Sequence, residues 1–301
     1  MMQNNPLVSI LLLSMNHENY IEQCIHSLAA QTYKNIEVIY VDNFSSDNTF
    51  QKGKILLEQS GIPFKCYSNK ESKTISSNLN FLFDQSSGDL VSPLSSDDWF
   101  EKNNIEKKVN YFIHNTEVGA LFSNGWIYNE ADKKIILNDC STFRKGYIYK
   151  DVLTHADCIF YVGMIYRREI IDKVGKWDES LLIEDTDMFI RIGLEAKIEY
   201  LNEPLVYYRR TSSSASKNKQ FMLNGFRQYY EKYKHVKWIN MKKWLAERYR
   251  SMAASDIDLK QNQQAFGFLV QAIKLNPMGI KNIRTLFYLF RRSLQDKFIT
   301  K

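Results

Sequence analysis

Paired cysteines are missing from this chain. Cys24, Cys66, Cys140 and Cys158 are widely spaced and no C-x-x-C occurs. That spacing excludes a structural zinc site and a disulfide scaffold, and predicts reduced, mostly buried thiols of a cytosolic protein. Long apolar runs are missing as well. The run Leu7 to Leu13 is too short for a secretion signal with its flanks, and no charged segment precedes it. Nothing elsewhere reaches the roughly 20 apolar residues of a membrane-spanning helix, so a soluble or peripheral protein is expected. The histidines His17, His26, His114, His155 and His235 show no metal-ligand spacing. There is no sustained internal repeat and no recognised nucleic-acid motif, so nucleic acid is not expected as a partner.

What the chain does have is an uneven charge. Residues 217–301 hold 18 Lys/Arg against 5 Asp/Glu, and within a total of +6 this leaves residues 1–216 at −7. An acidic body with a basic tail suggests a catalytic domain and an electrostatic anchor. The tail interleaves its cations with aromatics, as in Tyr229 to Lys234, Lys242-Lys243-Trp244 and Leu289 to Arg292. Such helices suit an anionic membrane surface.

The periodicity predicts alternating strands and helices. Leu7 to Leu13 is continuously apolar, like a strand buried on both faces of a parallel sheet. An amphipathic helix follows from Tyr20 to Ala29, then a strand at Ile36 to Val41 and a helix near Phe50 to Gln59. Phe64 to Tyr67 is a weaker strand, followed by a helix at Ile75 to Asp84 and a strand at Leu90 to Leu94, where Pro93 argues for an end or an edge. This β-α-β-α-β order predicts an α/β fold with a right-handed, mostly parallel sheet. Val118–Phe122, Gly125–Tyr128, Ile135–Leu137, Ile198–Leu201 and Val206–Tyr208 read as further short strands. Arg168–Val174 and Met188–Ala196 read as helices. Ser212 to Ser216 has linker composition, and beyond it the pattern is helical to the end.

The stretch from Gly88 to Trp99 organises the rest. Its strand stops at Asp97-Asp98, beyond the carboxyl end, where open α/β sheets bind ligands. Two adjacent carboxylates repel, and a Mg²⁺ or Mn²⁺ ion shared with a substrate diphosphate would relieve them. The same pair could instead cap a helix starting near Trp99.

Val8-Ser9-Ile10 with Asn16, Ala30-Gln31-Thr32-Tyr33, Val41-Asp42-Asn43 with Ser45, Asp47 and Thr49, Gly88-Asp89, Ser96-Asp97-Asp98, Gly175 to Ser180 and Glu184-Asp185-Thr186-Asp187 occur in one order and spacing. Together they resemble the family 2 glycosyltransferases, inverting enzymes of the GT-A fold that use nucleotide-sugar donors. The likeness runs from about Val8 to Tyr208. It implies a GT-A domain over residues 1–215, with residues 216–301 a basic helical subdomain. The resemblance places Ser14, Asn16, Asp42 and Asn43 in the nucleotide pocket, with Lys73, Asp97 and Arg210 also against the donor. It gives Asp98, with or without Asp97, a divalent cation, and makes Asp185 the base that deprotonates an acceptor hydroxyl, assisted by Glu184. Trp177 and Asp187 would lie against the acceptor. The chain departs from the family's common form at Ser95 (often Asp), Asn43 (often a second acid), Leu79 (often Arg) and Thr211 (often His). The implied reaction moves a sugar from a nucleotide diphosphate sugar, with UDP expected, to a hydroxyl of a glycan or lipid-linked glycan. The implied setting is cytoplasmic, at the inner face of a bacterial membrane, in surface polysaccharide synthesis. A catalytically silent nucleotide- or glycan-binding module and a sugar nucleotidyltransferase are the alternatives.

Overall fold

The computed structural model describes residues 5–155, 157–211 and 218–299, and the chain divides into two units, Met1–Ser213 and Ser214–Lys301. The linker expected at Ser212 to Ser216 lies outside the described residues.

The first unit is built on one nine-stranded sheet. Its strands are β1 (Val8–Ser14), β2 (Ile36–Asp42), β3 (Phe64–Ser68), β4 (Leu90–Ser95), β5 (Trp99–Phe100), β6 (Val118–Asn129), β7 (Lys134–Leu137), β8 (Ile165–Arg167) and β9 (Lys197–Arg210), in the order β3-β2-β1-β4-β8-β6-β9-β5 with β7 on β6. The first four pair in parallel, with α1 (Ile21–Ala29), α2 (Thr49–Ser60) and α3 (Ile75–Gln85) as crossovers. Val8, Ile10, Leu11, Leu12, Val38, Ile39, Leu90 and Val91 have no exposed surface, as their uninterrupted apolar runs predict. Gly88, ahead of β4, packs so tightly that a Cβ would meet Ser9 Oγ at 2.6 Å and the Leu7 carbonyl at 2.7 Å.

Several expectations are corrected. β4 is internal to the sheet, yet Pro93 is tolerated there. Leu90 and Ser96 donate to Leu7 and Leu13 of the β1 segment, so the even positions face β1 and Pro93 turns its nitrogen the other way. On that side β8 pairs only Leu90 and Val91, so no ladder bond is lost at Pro93. No helix starts at Trp99. Trp99 and Phe100 pair antiparallel with Tyr207 and Val206, and α4 begins later, at Asn104–His114. Val118 to Tyr128 is one strand with register shifts around Asn124. Ile198 to Tyr208 likewise lies within one strand, β9, of 14 residues, which carries Pro204 through the irregularity. The remaining helices of the unit are α5 (Asp151–Thr154), α6 (Arg168–Val174) and α7 (Asp185–Glu195).

The second unit is helical: α8 (Lys219–Tyr233), α9 (Met241–Asp258), α10 (Asn262–Leu275) and α11 (Ile280–Ile299). Asn218 and Asn240 cap α8 and α9 by accepting from the Phe221 and Lys243 amides, each at 3.0 Å. Ala253, Ile257, Ala265, Leu269 and Leu289 form a core shared by α9, α10 and α11. Among the described residues, no helix is long and apolar enough to cross a membrane.

Candidate active site

The parallel register aligns the carboxyl ends of the first four strands. Ser14 is opposite Asp42, Asp42 opposite Ser68, and Leu13 opposite Ser95. The segments 14–17, 42–48, 69–74 and 95–98 therefore leave the sheet from one edge, where a ligand site is expected.

Asp42 is buried there, and the chain itself fills most of its carboxylate. Oδ1 accepts from Ser14 Oγ at 2.8 Å and from Ser45 Oγ at 2.6 Å, and Oδ2 accepts from the Ser45 amide at 2.9 Å. A carboxylate has about four acceptor sites, so one is left for a ligand. Asn16 adopts a left-handed backbone (φ 56°), which asparagine tolerates, and its Oδ1 accepts from the Ser46 amide at 2.9 Å. Asn43 works as a clip. Its Nδ2 donates to the Lys73 carbonyl at 3.0 Å, while its Oδ1 accepts from the Lys73 amide at 2.9 Å and from Asn69 Nδ2 at 3.0 Å. Lys73 is thus fixed by its backbone while its side chain is exposed at the same edge.

The Asp97-Asp98 pair is held from two sides. Ser95, which stands where an acid is common, donates to Asp97 Oδ1 at 2.5 Å. The Arg209 amide on β9 donates to Asp98 Oδ1 at 2.9 Å. Burial, and after it the charge of Asp97, pushes Asp98 well above the usual carboxylate range. His17 reaches this pair from the end of β1: Nδ1 is 2.9 Å from Ser96 Oγ and 3.9 Å from Asp97 Oδ1. Burial lowers its pKa although Asp97, Asp47 and Asp42 pull it up, which favours a neutral imidazole at neutral pH.

Among the described residues, no group of three acidic, Cys or His side chains forms a complete metal cage. Asp97 and Asp98 still fit a divalent cation. Mg²⁺ or Mn²⁺ commonly takes one or two carboxylates and completes its shell with phosphate oxygens and water. The mutual repulsion that raises Asp98 is what a cation would remove.

The other acidic pair opens α7. Glu184 stands at its N-cap and Asp185 is its first residue. Burial, then the neighbouring Asp185 charge, drives Glu184 well upward, and a hydrogen bond between the two carboxyl groups raises it further. Burial lifts Asp185 to about 6, against the lowering effect of that bond. Asp185 is thus the member of the pair able to take a proton near neutrality.

One residue is affected by the charge of both pairs. Burial pushes the Tyr161 phenol well above its ordinary pKa, and Tyr208, Asp185 and Asp98 push it further. Its ring meets the Tyr208 ring edge-on at 6.0 Å. The charges of Asp185 and Asp98, acids from distant parts of the sequence, thus both act on this phenol. The segment carrying it is anchored below by Lys108, whose buried Nζ donates to the Gly163 carbonyl at 2.7 Å. Gly163 has φ 64°, and a Cβ there would lie 2.6 Å from Val206 and 2.8 Å from Phe100. Tyr161 lies in the apolar run Cys158 to Tyr166, and only the fold reveals its position.

Other expected site residues are placed differently. Trp177 is 3% exposed, packs edge-on against Phe83 and Tyr166, and exchanges backbone hydrogen bonds with Asn80 at 3.0 and 2.9 Å. It fills the core and offers no face to an acceptor. Asp187 has no exposed surface and is paired with Arg191 Nε at 2.7 Å, one turn along α7, so it too is unavailable to an acceptor. Leu79, where an arginine is common, is core. Arg210 is exposed at the end of β9, 5.9 Å from the Tyr208 ring centroid, and remains placed to reach an anion. Its neighbour Arg209 is committed elsewhere. Its guanidinium bonds the Asp97 carbonyl, Glu130 and Gln23 and lies 4.7–4.8 Å from the Tyr20, Trp99 and Tyr128 ring centroids.

The model of the family described as "Glycosyl transferase family 2" matches residues 9–175, more than half of the chain. The chain belongs to this family. Among curated members, glycosyltransferase GlyA of Streptococcus pneumoniae is 27% identical over 225 residues, 70% of this chain but 31% of GlyA. An uncharacterised glycosyltransferase of Haemophilus influenzae is 31% identical over 62% of this chain and 57% of its own length. Putative glycosyltransferase EpsE of Bacillus subtilis is 24% identical over 73% and 78% of the two chains. The chain thus spans less than two thirds of the first two relatives. In fold, this family 2 glycosyltransferase is similar to Staphylococcus aureus TarS (residues 1–349, in complex with UDP-GlcNAc), with a TM-score of 0.65 and 19% identity over 89% of this chain and 81% of that one. It is also similar to the mannosyltransferase PcManGT of Pyrobaculum calidifontis, in complex with GDP-Man and Mn²⁺, with a TM-score of 0.58 and 12% identity over 99% and 89% of the chains. The architecture is the GT-A fold, with helices appended at the C-terminal side.

Proposed function

We propose that this chain is an inverting, cation-dependent glycosyltransferase that moves a sugar from a nucleotide diphosphate sugar to a hydroxyl of a glycan or lipid-linked glycan. The observation that carries this reading is the gathering of Asp42, Asp97 and Asp98 at the carboxyl ends of the parallel strands, in a chain whose family match spans residues 9–175. The nucleotide sugars bound by TarS and PcManGT, and the Mn²⁺ of the latter, support the donor class and the cation; UDP is the nucleotide we assign.

On this reading Ser14, Asp42 and Asn16 shape the nucleoside pocket, and the Asn43 clip sets the wall carrying Lys73. Lys73 and Arg210 supply positive charge beside the diphosphate. Asp97 and Asp98 would hold the cation, which offsets the charge of the departing diphosphate. Asp185 accepts the proton of the acceptor hydroxyl as oxygen attacks the anomeric carbon on the face opposite the diphosphate. Glu184, protonated, orients Asp185 and stabilises its charge. An acceptor carried on a lipid would bring the enzyme to an anionic membrane, and the basic composition of residues 217–301 suits that setting in bacterial surface polysaccharide synthesis.

A panel of nucleotide sugars scored for released nucleoside diphosphate tests the reading. Slow release from one UDP-sugar is expected with Mn²⁺ and none with EDTA. Absence of release, together with absence of any thermal shift by UDP or GDP in Mn²⁺, overturns it.

A further inference from the structure

Most of α11 turns one face inward. Asn282, Thr285 and Leu289 are buried and Leu286 packs beside them on the core shared with α9 and α10. The opposite side holds Ile280, Ile283, Phe287 and Phe290, exposed by 66%, 45%, 72% and 55%. At 3.6 residues per turn these four fall within an arc of about 80°, so they form one continuous stripe. A stripe of this kind in water is a contact surface waiting for a cover.

Its charge surroundings select the cover. No Asp or Glu occurs from Leu259 to Gln295, while Lys260, Lys274, Lys281, Arg284, Arg291 and Arg292 do. Arg284 and Arg291 are exposed on the arc next to the apolar stripe. Lys281 borders it and is 75% exposed, although Glu247 lies 3.9 Å away. A second copy of the same stripe would bring cations against cations. Nucleic acid would leave the four apolar side chains in water. An anionic bilayer satisfies both parts, taking isoleucine and phenylalanine into the acyl boundary and the cations among phosphates.

We infer that α11 is an interfacial membrane helix. It inserts Ile280, Ile283, Phe287 and Phe290 into anionic lipid, with Lys281, Arg284 and Arg291 at the headgroups. Such seating needs no transfer chemistry and can be tested apart from it.

The test is co-sedimentation of the full chain with vesicles of phosphatidylcholine alone or with roughly one phosphatidylglycerol in three. Binding is expected only to the anionic vesicles. Phe287→Ser/Phe290→Ser should weaken it about tenfold or more at unchanged charge, since two exposed rings lose their apolar sink. Lys281→Glu/Arg284→Glu/Arg291→Glu should remove the preference for anionic lipid, and it decides the question if the aromatic variant loses its cooperative melt. Absence of binding by the unaltered chain overturns the inference, as does unchanged binding by both variants. Self-association by sedimentation that the aromatic variant abolishes, with vesicle binding intact, also overturns it in favour of a second copy. The thermal shift by UDP should be the same in all three proteins, so failure here leaves the donor site untouched.

Discussion

The backbone amide of Arg209 donates to Asp98 across 111 residues of sequence, at 2.9 Å. The last strand of the sheet therefore fixes the acid that ends the fourth. The Arg209 side chain tightens the same joint by bonding the Asp97 carbonyl at 3.0 Å from within a cage of three aromatic rings. Asp97 and Asp98 are thus set by both halves of the GT-A domain.

Asp185→Asn should lower transfer by about 10²–10⁴-fold while leaving UDP binding intact, since only proton removal is lost. In the unaltered protein kcat/KM should rise with pH through about 6, the region to which burial lifts Asp185. Glu184→Leu removes the hydrogen bond that pulls Asp185 down and should move this limb to higher pH. A rate independent of pH between 5 and 7 (roughly one unit either side of that value) counts against Asp185 as the base.

Asp98→Asn should make the protein harder to melt and unable to respond to a cation. A carboxyl raised in the fold contributes stability at pH values below its ordinary range, and that contribution is lost as pH rises through the folded value. At neutral pH its charge is therefore a burden, and the amide lifts it. An increase of a few degrees in Tm is expected, for about 1 kcal/mol in a domain of this size. The extra stabilisation by UDP in Mn²⁺ over EDTA should vanish. Calorimetry with and without ligand reads both.

Tyr161→Phe keeps the ring that packs on Tyr208 and deletes the hydroxyl whose pKa is raised by burial and then by Tyr208, Asp185 and Asp98. Transfer should fall about tenfold with little change in Tm, because the ring and its packing are kept. Steady-state kinetics that show no change would mean the phenol is a bystander in the cleft.

Lys108 is fully buried, with its pKa lowered by desolvation to about 7. Its folded value lies below the unfolded one, so between about 7 and 10 the unfolded chain binds more protons and stability rises with pH. The slope attributable to this group approaches about 1.4 kcal/mol per pH unit. Lys108→Met should abolish that rise relative to the unaltered protein in denaturant melts from pH 7 to pH 9.5 (roughly the titration window). Parallel curves for the two proteins would show that the ammonium is solvated.

Much of the edge where the parallel strands end was readable in the chain because its signals are local. Uninterrupted apolar runs gave the parallel strands, and polar residues where those runs stop gave Ser14, Asp42, Asn43 and Asp97-Asp98. What could not be read depends on distant partners. Trp99 and Phe100 form a strand only because Tyr207 and Val206 lie beside them. The register shifts near Asn124 and Pro204 interrupt the alternation that would otherwise reveal β6 and β9 as single long strands. Trp177 and Asp187 sit among residues typical of a binding loop, but local sequence does not say which way a loop side chain turns, and both turn inward. Tyr161 was hidden for the opposite reason. It is a polar tip within an apolar run, and the acids whose charges act on it, Asp185 and Asp98, are far away in sequence.

The Asn43 clip has a consequence for how this pocket can diversify. One amide latches the strand end to residues 69 and 73 by three bonds, so that segment is carried like a leaf on a hinge pin. An acid at position 43 would give up the donor half of that latch, and the leaf would then have to be tied down by another group.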